Sequence, residues 1–412
     1  MTAGALSAAE LTEIEDARSA VLERAAPLEA EQVPLGEALG RVLAEDAVSS
    51  EPVPGFDNSA MDGFAVRAAD TEGAEPDSPV ALRDAGESRA GRPASASLRQ
   101  GEAIRISTGA ALPAGADAVV RVEDTRSEDE RVLVEVEVEA GHDIRRAGED
   151  IAAGEAVLER GTPIGPAELG VLASLGSPSV PCHRRPRVRV LTTGDELIPP
   201  GEEMRPGGVR NSNAYSIPAL AERAGGEVLG ADPVPDDPDA TRKAIGAALD
   251  ADLVVICGGV SVGGHDHVKG ALAELGVEQV FWGVALKPGR PTWFGTRRDT
   301  LVFGLPGNPV SAMVTFLLLV RPSLAALNGA DTERQRTEAR LAEDYEKRPG
   351  RAHAVRCSLE LREDGWRAHP TGAQGSHILT SMLGADCLAM IPTEAESLRA
   401  GDPVQVELIG AV

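Results

Sequence analysis

The sequence has very little lysine and a large excess of acids. Lysine occurs four times among the 40 basic residues, and 65 acidic residues give a formal net charge of −25. A surface this acidic repels phosphate backbones and anionic lipids, so neither nucleic acid nor a membrane is an expected partner. An anionic substrate would be repelled too, so an anion site requires local Arg, Lys or backbone N–H donors. The same composition favours solubility in concentrated salt, which predicts a halophilic source.

Cysteine, long apolar runs and targeting signals are also scarce. The four cysteines form no CxxC pair, which disfavours a zinc site or a disulfide framework and predicts buried thiols. The longest aliphatic run, 314–320, is shorter than a membrane span. Residues 1–10 lack the basic and apolar regions of a signal peptide. These absences predict a cytoplasmic protein.

The first half of the chain mixes helical and β patterns. Residues 11–28 carry apolar side chains at helical spacing, and residues 35–49 predict a second helix. Apolar and polar residues alternate over 102–108 and strictly over 131–141, which predicts half-exposed strands of a β-rich domain.

From residue 187 the pattern changes to alternating strands and helices. Three apolar runs each end in a Gly-rich turn and are separated by helix-like segments, which predicts βα units around a parallel sheet. After Asn328 alternating Val and Leu return together with Gly and Pro, which predicts a small β-barrel. The expected fold class is therefore multidomain α/β plus β.

The three Gly-rich turns are candidate binding sites, because ligands of open α/β sheets bind beyond the carboxyl ends of the strands. The glycines of "GGVSVGG" (258–264) would let backbone N–H groups approach an anion, although a plain tight turn would look similar. In "LPGNPVSAM", Ser311 lies where an N-cap would, either for capping alone or with a bound anion. In "TTGDEL", Asp195 and Glu196 could hold Mg²⁺ or act as acid and base, or Asp195 could merely begin a helix.

Two further stretches carry charges with possible functional roles. In "LKPGRP", Lys287 and Arg290 could bind an oxyanion that the overall negative charge would repel, with a surface turn as the alternative. In "HDH", Asp266 is a candidate metal ligand, whereas His265 and His267 are expected to be solvent-exposed.

The loop "PGFDNSAMDGFAV" has more large apolar residues than a surface turn requires. We expect Phe56, Met61 and Phe64 to anchor it. Asp57 and Asn58 are expected to hold it through local hydrogen bonds.

Eight motifs follow one another in a characteristic order. They are "PGFDNSAMDGFAV", "IRISTGAALPAGADAVV", "IRRAGEDI", "LTTGDEL", "GGVSVG", "LKPGRP", "GLPGNPVS" and "GAQGSHI". In this order they resemble the molybdopterin molybdenumtransferase family, which includes MoeA and the E domain of gephyrin. The resemblance covers about residues 10–410, and it rests on the eight motifs together.

The resemblance implies four structural domains. Residues 1–185 would form the MoeA N-terminal and linker region, helical and linker-like, with a β-rich insert at about 54–148. Residues 186–328 would form a MoaB/Mog-like molybdopterin-binding α/β domain around a parallel sheet, and 329–412 a small C-terminal β-barrel. Family members are elongated homodimers, with the active-site cleft between the α/β domain of one subunit and the β-rich insert of the other.

The resemblance also implies a reaction. The family inserts molybdate into adenylylated molybdopterin, using Mg²⁺, to give molybdenum cofactor and release AMP. Molybdate and adenylylated molybdopterin would be the substrates, and a molybdopterin adenylyltransferase would act upstream.

Roles are implied for the residues at matching positions. The molybdate pocket would use Lys287, Arg290, Pro291, Ser311, Arg351 and Ser376. The molybdopterin and nucleotide side would use Thr193, Gly194, Asp195, Gly258, Gly259, Ser261, Pro306, Asn308, Thr108 and Arg146. The catalytic positions would be Asp62, Asp266, Glu196 and Lys287, and the Mg²⁺ ligands would be Glu196 and Asp266.

Three positions depart from the family pattern, and two other functions compete. Gly283 and Arg290 stand where lysine is frequent, and Ala373 stands where histidine is common, so the departures bear on oxyanion binding. A molybdopterin adenylyltransferase is one alternative, but it consists of the α/β module alone. A non-enzymatic dimeric scaffold of the gephyrin type is the other, and the largely intact site motifs disfavour it.

Overall fold

A computed structural model describes residues 11–260, 267–333 and 335–410. The chain forms two compact units. The large unit comprises Met1–Glu45, Gly161–Gly165 and Ser179–Val412, and the small unit comprises Asp46–Arg160 and Pro166–Pro178.

The elements within the described residues are as follows. The helices are α1 (Ile14–Leu22), α2 (Pro166–Ser174), α3 (Asn213–Arg223), α4 (Pro238–Ala248), α5 (Val268–Glu274), α6 (Pro309–Thr315) and α7 (Arg321–Leu327), with a π-helical turn at Phe316–Val320 and 3₁₀ turns at Leu35–Glu37, Ala68–Thr71, Val122–Asp124 and Leu379–Met382. The strands are β1 (Ala30–Pro34), β2 (Ala47–Val48), β3 (Asn58–Ser59), β4 (Gly63–Val66), β5 (Val80–Ser88), β6 (Glu102–Ile106), β7 (Ala118–Arg121), β8 (Thr125–Glu128), β9 (Arg131–Val134), β10 (Ile144–Arg145), β11 (Ala156–Leu158), β12 (Ser179–His183), β13 (Arg187–Thr193), β14 (Leu197–Ile198), β15 (Val209–Arg210), β16 (Glu227–Val234), β17 (Leu253–Cys257), β18 (Glu278–Trp282), β19 (Leu286–Lys287), β20 (Trp293–Arg297), β21 (Thr300–Leu305), β22 (Arg336–Leu341), β23 (Tyr345–Glu346), β24 (Ala352–Arg362), β25 (Gly365–Pro370), β26 (Cys387–Ile391), β27 (Ser397–Leu398) and β28 (Pro403–Leu408).

The large unit is built around a six-stranded sheet of order β16-β13-β17-β21-β20-β18. The first four strands are parallel, as predicted, and β17 is buried along its whole length. The expectation of a wholly parallel sheet is wrong, because β20 runs antiparallel to both β21 and β18. Only Arg298 and Asp299 separate β20 from β21, and two residues allow a hairpin but no crossover.

A long apolar helical run lies against this sheet. Residues 309–327 are continuous from α6 through the π-helical turn to α7, and most of this apolar segment is buried. The run therefore exceeds the aliphatic segment noted in the sequence and reaches the length of a membrane span. Its burial against α1, α3 and the sheet instead makes it the core helix of a globular unit.

The C-terminal part of the large unit closes into a barrel, which confirms the prediction of a small barrel. Five strands join in the cyclic order β24-β25-β22-β28-β26, and β26 pairs back with β24. Two of the four cysteines, Cys357 and Cys387, face each other inside it, and all four are free and buried, as predicted.

The small unit contains a six-stranded sheet of order β7-β4-β6-β5-β9-β8. The strand predicted over 131–141 ends at Val134, because the following segment leaves the sheet and the Val138 N–H donates to Thr71 Oγ1 at 3.1 Å.

The helix predicted over 35–49 is wrong. Only Leu35–Glu37 forms a 3₁₀ turn, and Ala47–Val48 is a strand. The Gly40 and Leu43 N–H groups donate to carbonyls of Ile164 and Thr162 at 2.8 and 3.0 Å. Tertiary backbone pairing thus overrides the local helical pattern.

A single buried carboxylate joins three parts of the large unit. Glu407 of β28, 2% exposed, accepts hydrogen bonds from Arg18 of α1 at 2.8 Å, Arg336 of β22 at 2.6 Å and Arg321 of α7 at 3.2 Å. Burial lowers the pKa of Arg321. Glu407 is the only acid paired with Arg321 among the described residues, whereas Arg18 also pairs with Glu333 at 3.0 Å and Arg336 with Glu15 at 2.9 Å.

Replacing Glu407 by glutamine should destabilise the large unit strongly. The variant keeps the shape but leaves buried guanidinium groups beside a neutral amide, a change that typically costs about 3–5 kcal/mol. Thermal and urea denaturation measure the loss. Glu338→Gln, at an exposed position on the neighbouring β22, should change stability by less than about 0.5 kcal/mol. Equal midpoints for the two variants would contradict the role given to Glu407.

Candidate functional site

The carboxyl ends of three central strands open into one cavity of about 570 Å³ in the large unit. Cys257 and Leu305, the last residues of β17 and β21, lie in register with Thr192, the next-to-last residue of β13, so the turns that follow the three strands converge there. Eight residues with predicted roles line it: Thr193, Gly194, Glu196, Gly258, Gly259, Pro291, Pro306 and Asn308.

Two glycines after β17 allow close packing at the cavity wall. Gly258 has a φ of +97°, and a Cβ atom there would lie 2.7 Å from Thr193 Oγ1. Gly259 has a φ of +66°, and a Cβ atom there would overlap Val268. The Gly258 N–H donates to the Leu305 carbonyl at 3.0 Å, so this amide is already bonded within the fold.

The helix-start expectation for Ser311 is wrong, and the alternative that Asp195 begins a helix is excluded. Ser311 is not an N-cap: Asn308 holds that position, α6 begins at Pro309, and Ser311 is only 4% exposed inside the helix. Asp195 lies in a turn before β14, and no helix follows it directly. Its carboxylate accepts a hydrogen bond from the Asp236 N–H at 3.1 Å, and this hydrogen bond is exposed to solvent.

Several lining residues were not anticipated from the sequence. Asn211 Nδ2 donates to Thr192 Oγ1 at 2.9 Å, and Asn213 Nδ2 donates to the Gly307 carbonyl at 2.8 Å. These amides connect the start of α3 to two of the three turns, and Asp236 adds a second carboxylate beside Glu196 on the cavity wall. The available signal was the polar triplet "NSN" directly before a helical segment.

Strand pairing gathers cations near the barrel. β19 runs parallel to β24 with Lys287 opposite His353. Burial, together with Lys287, Lys347 and Arg351, lowers the pKa of His353 to about 4. Lys347 Nζ donates to the Arg351 carbonyl at 2.9 Å. Half of the lysines in the chain therefore lie in one small region, which supplies the local positive charge that an anion requires in this acidic protein.

The "LKPGRP" turn and the barrel loop both approach α6. A Cβ atom at Gly289 would overlap Thr315, which lies one helical turn beyond Ser311 on the same face. Asn308 Nδ2 donates to Ser376 Oγ at 3.3 Å. Ser376 thus lies at the edge of the cavity. Lys287 and Pro291 both belong to the six-residue segment "LKPGRP".

In the small unit, the loop around Asp57 is held by polar contacts more than by apolar anchors. Phe64 is buried at 2% exposure, but Phe56 and Met61 are 53% and 37% exposed, so two of the three expected anchors are wrong. Asp57 accepts from the Ala147 N–H at 2.8 Å and from Arg146 at 2.6 Å, and these donors lower the pKa of Asp57. The expected local hydrogen bonding is confirmed for Asn58, whose Nδ2 donates to the Phe56 carbonyl at 3.2 Å. It is wrong for Asp57, whose two donors lie 89 and 90 residues away in the sequence.

Asp62 and Thr108 come together in this unit. The exposed Asp62 carboxylate accepts from the Thr108 N–H at 2.7 Å. Arg146, the third predicted residue here, is engaged with Asp57.

Two predicted site residues, Ser261 and Asp266, lie outside the described residues, as does His265. Within 11–260, 267–333 and 335–410, no group of three or more His, Cys, Asp or Glu side chains could hold a metal ion. His267 is half-buried where exposure was expected.

Comparison with known proteins gives consistent matches along the chain. Residues 12–176 match the MoeA N-terminal region (domain I and II), residues 189–326 a probable molybdopterin binding domain, and residues 338–409 the MoeA C-terminal region (domain IV). The molybdopterin molybdenumtransferase of Haemophilus influenzae is 38% identical over 400 residues, 96% of this chain and 98% of that protein.

Two further relatives extend this similarity. Molybdopterin molybdenumtransferase 2 of Mycobacterium tuberculosis is 39% identical over 383 residues, 91% of this chain and 94% of that protein. The crystal structure of the molybdopterin biosynthesis MoeA protein from Pyrococcus horikoshii OT3 gives a TM-score of 0.82 at 33% identity, covering 97% of this chain and 100% of that one.

The cation cluster predicts a pH effect on stability. The unfolded chain binds a proton at His353 near pH 6.5, but the folded chain does so only near pH 4. Unfolding therefore becomes easier as pH falls through that window, because the unfolded state binds more protons. Denaturation at pH 7, 5.5 and 4.5 should show this loss in wild type and a smaller one in His353→Gln. If wild type and His353→Gln lost the same stability between pH 7 and pH 4.5, the pKa of His353 would not be lowered by folding.

Proposed function

Since the chain belongs to the molybdopterin molybdenumtransferase family, of which MoeA is a member, we propose that it inserts molybdate into adenylylated molybdopterin and releases AMP. It is a transferase of molybdenum cofactor biosynthesis. The observation that carries the proposal is the presence, in one chain and in order, of all three MoeA regions. An adenylyltransferase made of the α/β module alone would lack the first and third. The cavity lined by eight motif residues favours an enzyme over a scaffold.

The cavity offers a physical route to the reaction. Molybdate and the pyrophosphate of adenylylated molybdopterin are both anions, and the protein must hold them together before the dithiolene displaces oxo ligands and the pyrophosphate bond breaks. We assign molybdate to the cations Lys287 and Arg351 beside His353, with Arg290 and Ser376 on neighbouring loops and Ser311 in the first turn of α6. A guanidinium and an ammonium offer charge-assisted hydrogen bonds of the kind that oxyanions require.

The molybdopterin and nucleotide side is assigned to the strand-end turns. Thr193 and Gly259 line the wall that the substrate would face, and Asn308 with Pro306 lines the opposite turn. Glu196 and Asp236 both line the cavity, and one or two carboxylates plus substrate phosphate oxygens form a usual Mg²⁺ ligand set. These two acids would hold Mg²⁺, which supplies charge neutralisation at the phosphates; Asp266 stays a candidate.

Four finer proposals complete the assignment. The protein forms a homodimer in which Asp62, with Thr108, contributes to the partner's site, and Arg146 orders the adjoining loop. A molybdopterin adenylyltransferase supplies its substrate, and the protein acts in the cytoplasm. Its domains are 1–185 with the insert at about 54–148, 186–328 and 329–412.

The deciding experiment is in vitro cofactor assembly from adenylylated molybdopterin with molybdate, with Mg²⁺ present or removed. Molybdenum cofactor and AMP should form in step. A parallel reaction with ATP and metal-free molybdopterin separates the alternative function. Rapid adenylyl transfer without molybdate, and no metal insertion, would identify an adenylyltransferase.

In that assay, Lys287→Ala should raise the molybdate concentration for half-maximal cofactor formation roughly tenfold or more, because a charged hydrogen bond contributes about 1.5–3 kcal/mol. Lys243→Ala, at an exposed position on α4, is the matched control and should leave that concentration unchanged. An unshifted molybdate dependence in Lys287→Ala would remove Lys287 from the oxyanion pocket.

Asp62→Ala should abolish metal insertion while leaving the protein folded and its oligomeric state unchanged. Asp62→Asn keeps an acceptor for the Thr108 N–H but loses the charge, so it should also lose at least about a hundredfold in rate if the carboxylate acts in proton transfer. Asp77→Ala, exposed in the same unit, should retain activity. Cofactor formation at the wild-type rate by Asp62→Ala would refute the assignment.

A further inference from the structure

Trp282 contacts the chain on both sides of the segment that follows the Gly258–Gly259 turn. Its indole Nε1–H donates to the Val260 carbonyl at 2.9 Å. Its ring lies under the ammonium group of Lys269, with Nζ 3.8 Å from the ring centroid. Val260 comes directly after the glycines of the cavity wall, and Lys269 lies in the first turn of α5. One side chain at the end of the edge strand β18 therefore contacts both Val260 and Lys269, which are nine residues apart in the sequence.

The packing between these points is close. Val260 is 1% exposed, and its side chain fills the space beside Gly304 of β21, where a Cβ atom would overlap it. Gly259 lies equally close to Val268, the residue before Lys269. The backbone at Gly259 is thus held against α5 on one side, and the carbonyl of the next residue is held by the indole.

We propose that Trp282 is a positioning residue for the substrate, which holds the Gly258–Val260 turn in the shape that receives the nucleotide part of adenylylated molybdopterin. The proposal rests on the proposed function for the identity of the ligand. Trp282 does not line the cavity, so it acts through Val260 and not by contact with substrate. The indole also supports the position of Lys269 by a cation–π contact.

The chain offers a matched pair of variants. Trp293 is the register partner of Trp282 on β20. Its Nε1 donates to Gln279 Oε1 at 2.9 Å, so its hydrogen bond joins β20 to β18 and does not involve the Gly258–Val260 turn. Trp282→Phe and Trp293→Phe therefore remove the same indole N–H from neighbouring positions, but only the first releases the turn. Both retain an aromatic ring.

Steady-state cofactor assembly with adenylylated molybdopterin is the first measurement. Trp282→Phe should raise KM for this substrate about fivefold, the equivalent of one lost hydrogen bond, with kcat within about twofold of wild type. Trp293→Phe should leave KM unchanged. An unchanged KM in Trp282→Phe, or an equal rise in both variants, would overturn the proposal.

A spectroscopic measurement keeps Trp282 in place and does not depend on turnover. The chain has three tryptophans, so the double variant Trp293→Phe, Trp366→Phe emits from Trp282 alone. Titration with AMP should change this emission saturably, and Gly259→Ala should remove the change. Emission that does not respond to AMP would overturn the positioning role. A different outcome would separate the two proposals. If the double variant shows this response to AMP but wild-type protein forms no cofactor, the proposed function is refuted and the positioning role stays intact.

Discussion

The large unit depends on the burial of one carboxylate among three arginines. Glu407 binds Arg18, Arg321 and Arg336, which come from α1, α7 and β22. A buried ion group of this kind is costly to desolvate, and removing Glu407 would leave the buried Arg321 without an acidic partner, whereas Arg18 and Arg336 would keep Glu333 and Glu15. Its contribution is therefore one of geometry: it fixes the first helix and the core helix against the barrel, and that arrangement brings β19 beside β24 and Ser376 beside Asn308.

The excess of acidic residues explains why the site needs its own local cations. The protein carries 65 acids against 40 basic residues, so its overall field opposes molybdate, and attraction must come from a few cations at short range. Burial, together with the nearby charges of Lys287, Lys347 and Arg351, lowers the pKa of His353. A short parallel pairing of two residues on each strand creates this concentration of charge from separate parts of the chain.

Local pattern predicted the elements whose burial matches their periodicity, such as β17, α1 and the barrel strands. It failed where tertiary hydrogen bonds replaced local ones, as at residues 35–49, whose backbone pairs with 162–164. The glycine turns could be placed at the site because φ and close packing demand glycine there. Ser311 could not be placed, since the local pattern does not distinguish the N-cap from a buried helical position three residues further on. Asn213 gave no signal beyond its neighbours.

The π-helical turn at Phe316–Val320 gives the core helix a change of phase. Each residue of an α-helix rotates the side-chain direction by about 100°, and a π turn adds one residue without lengthening the helix by a full turn. Ser311 and Thr315 before the turn face the "LKPGRP" segment, while Arg321 after it reaches Glu407. The extra residue sets the direction in which Arg321 points relative to Thr315, so an insertion or deletion between these two residues would disturb one of the two contacts.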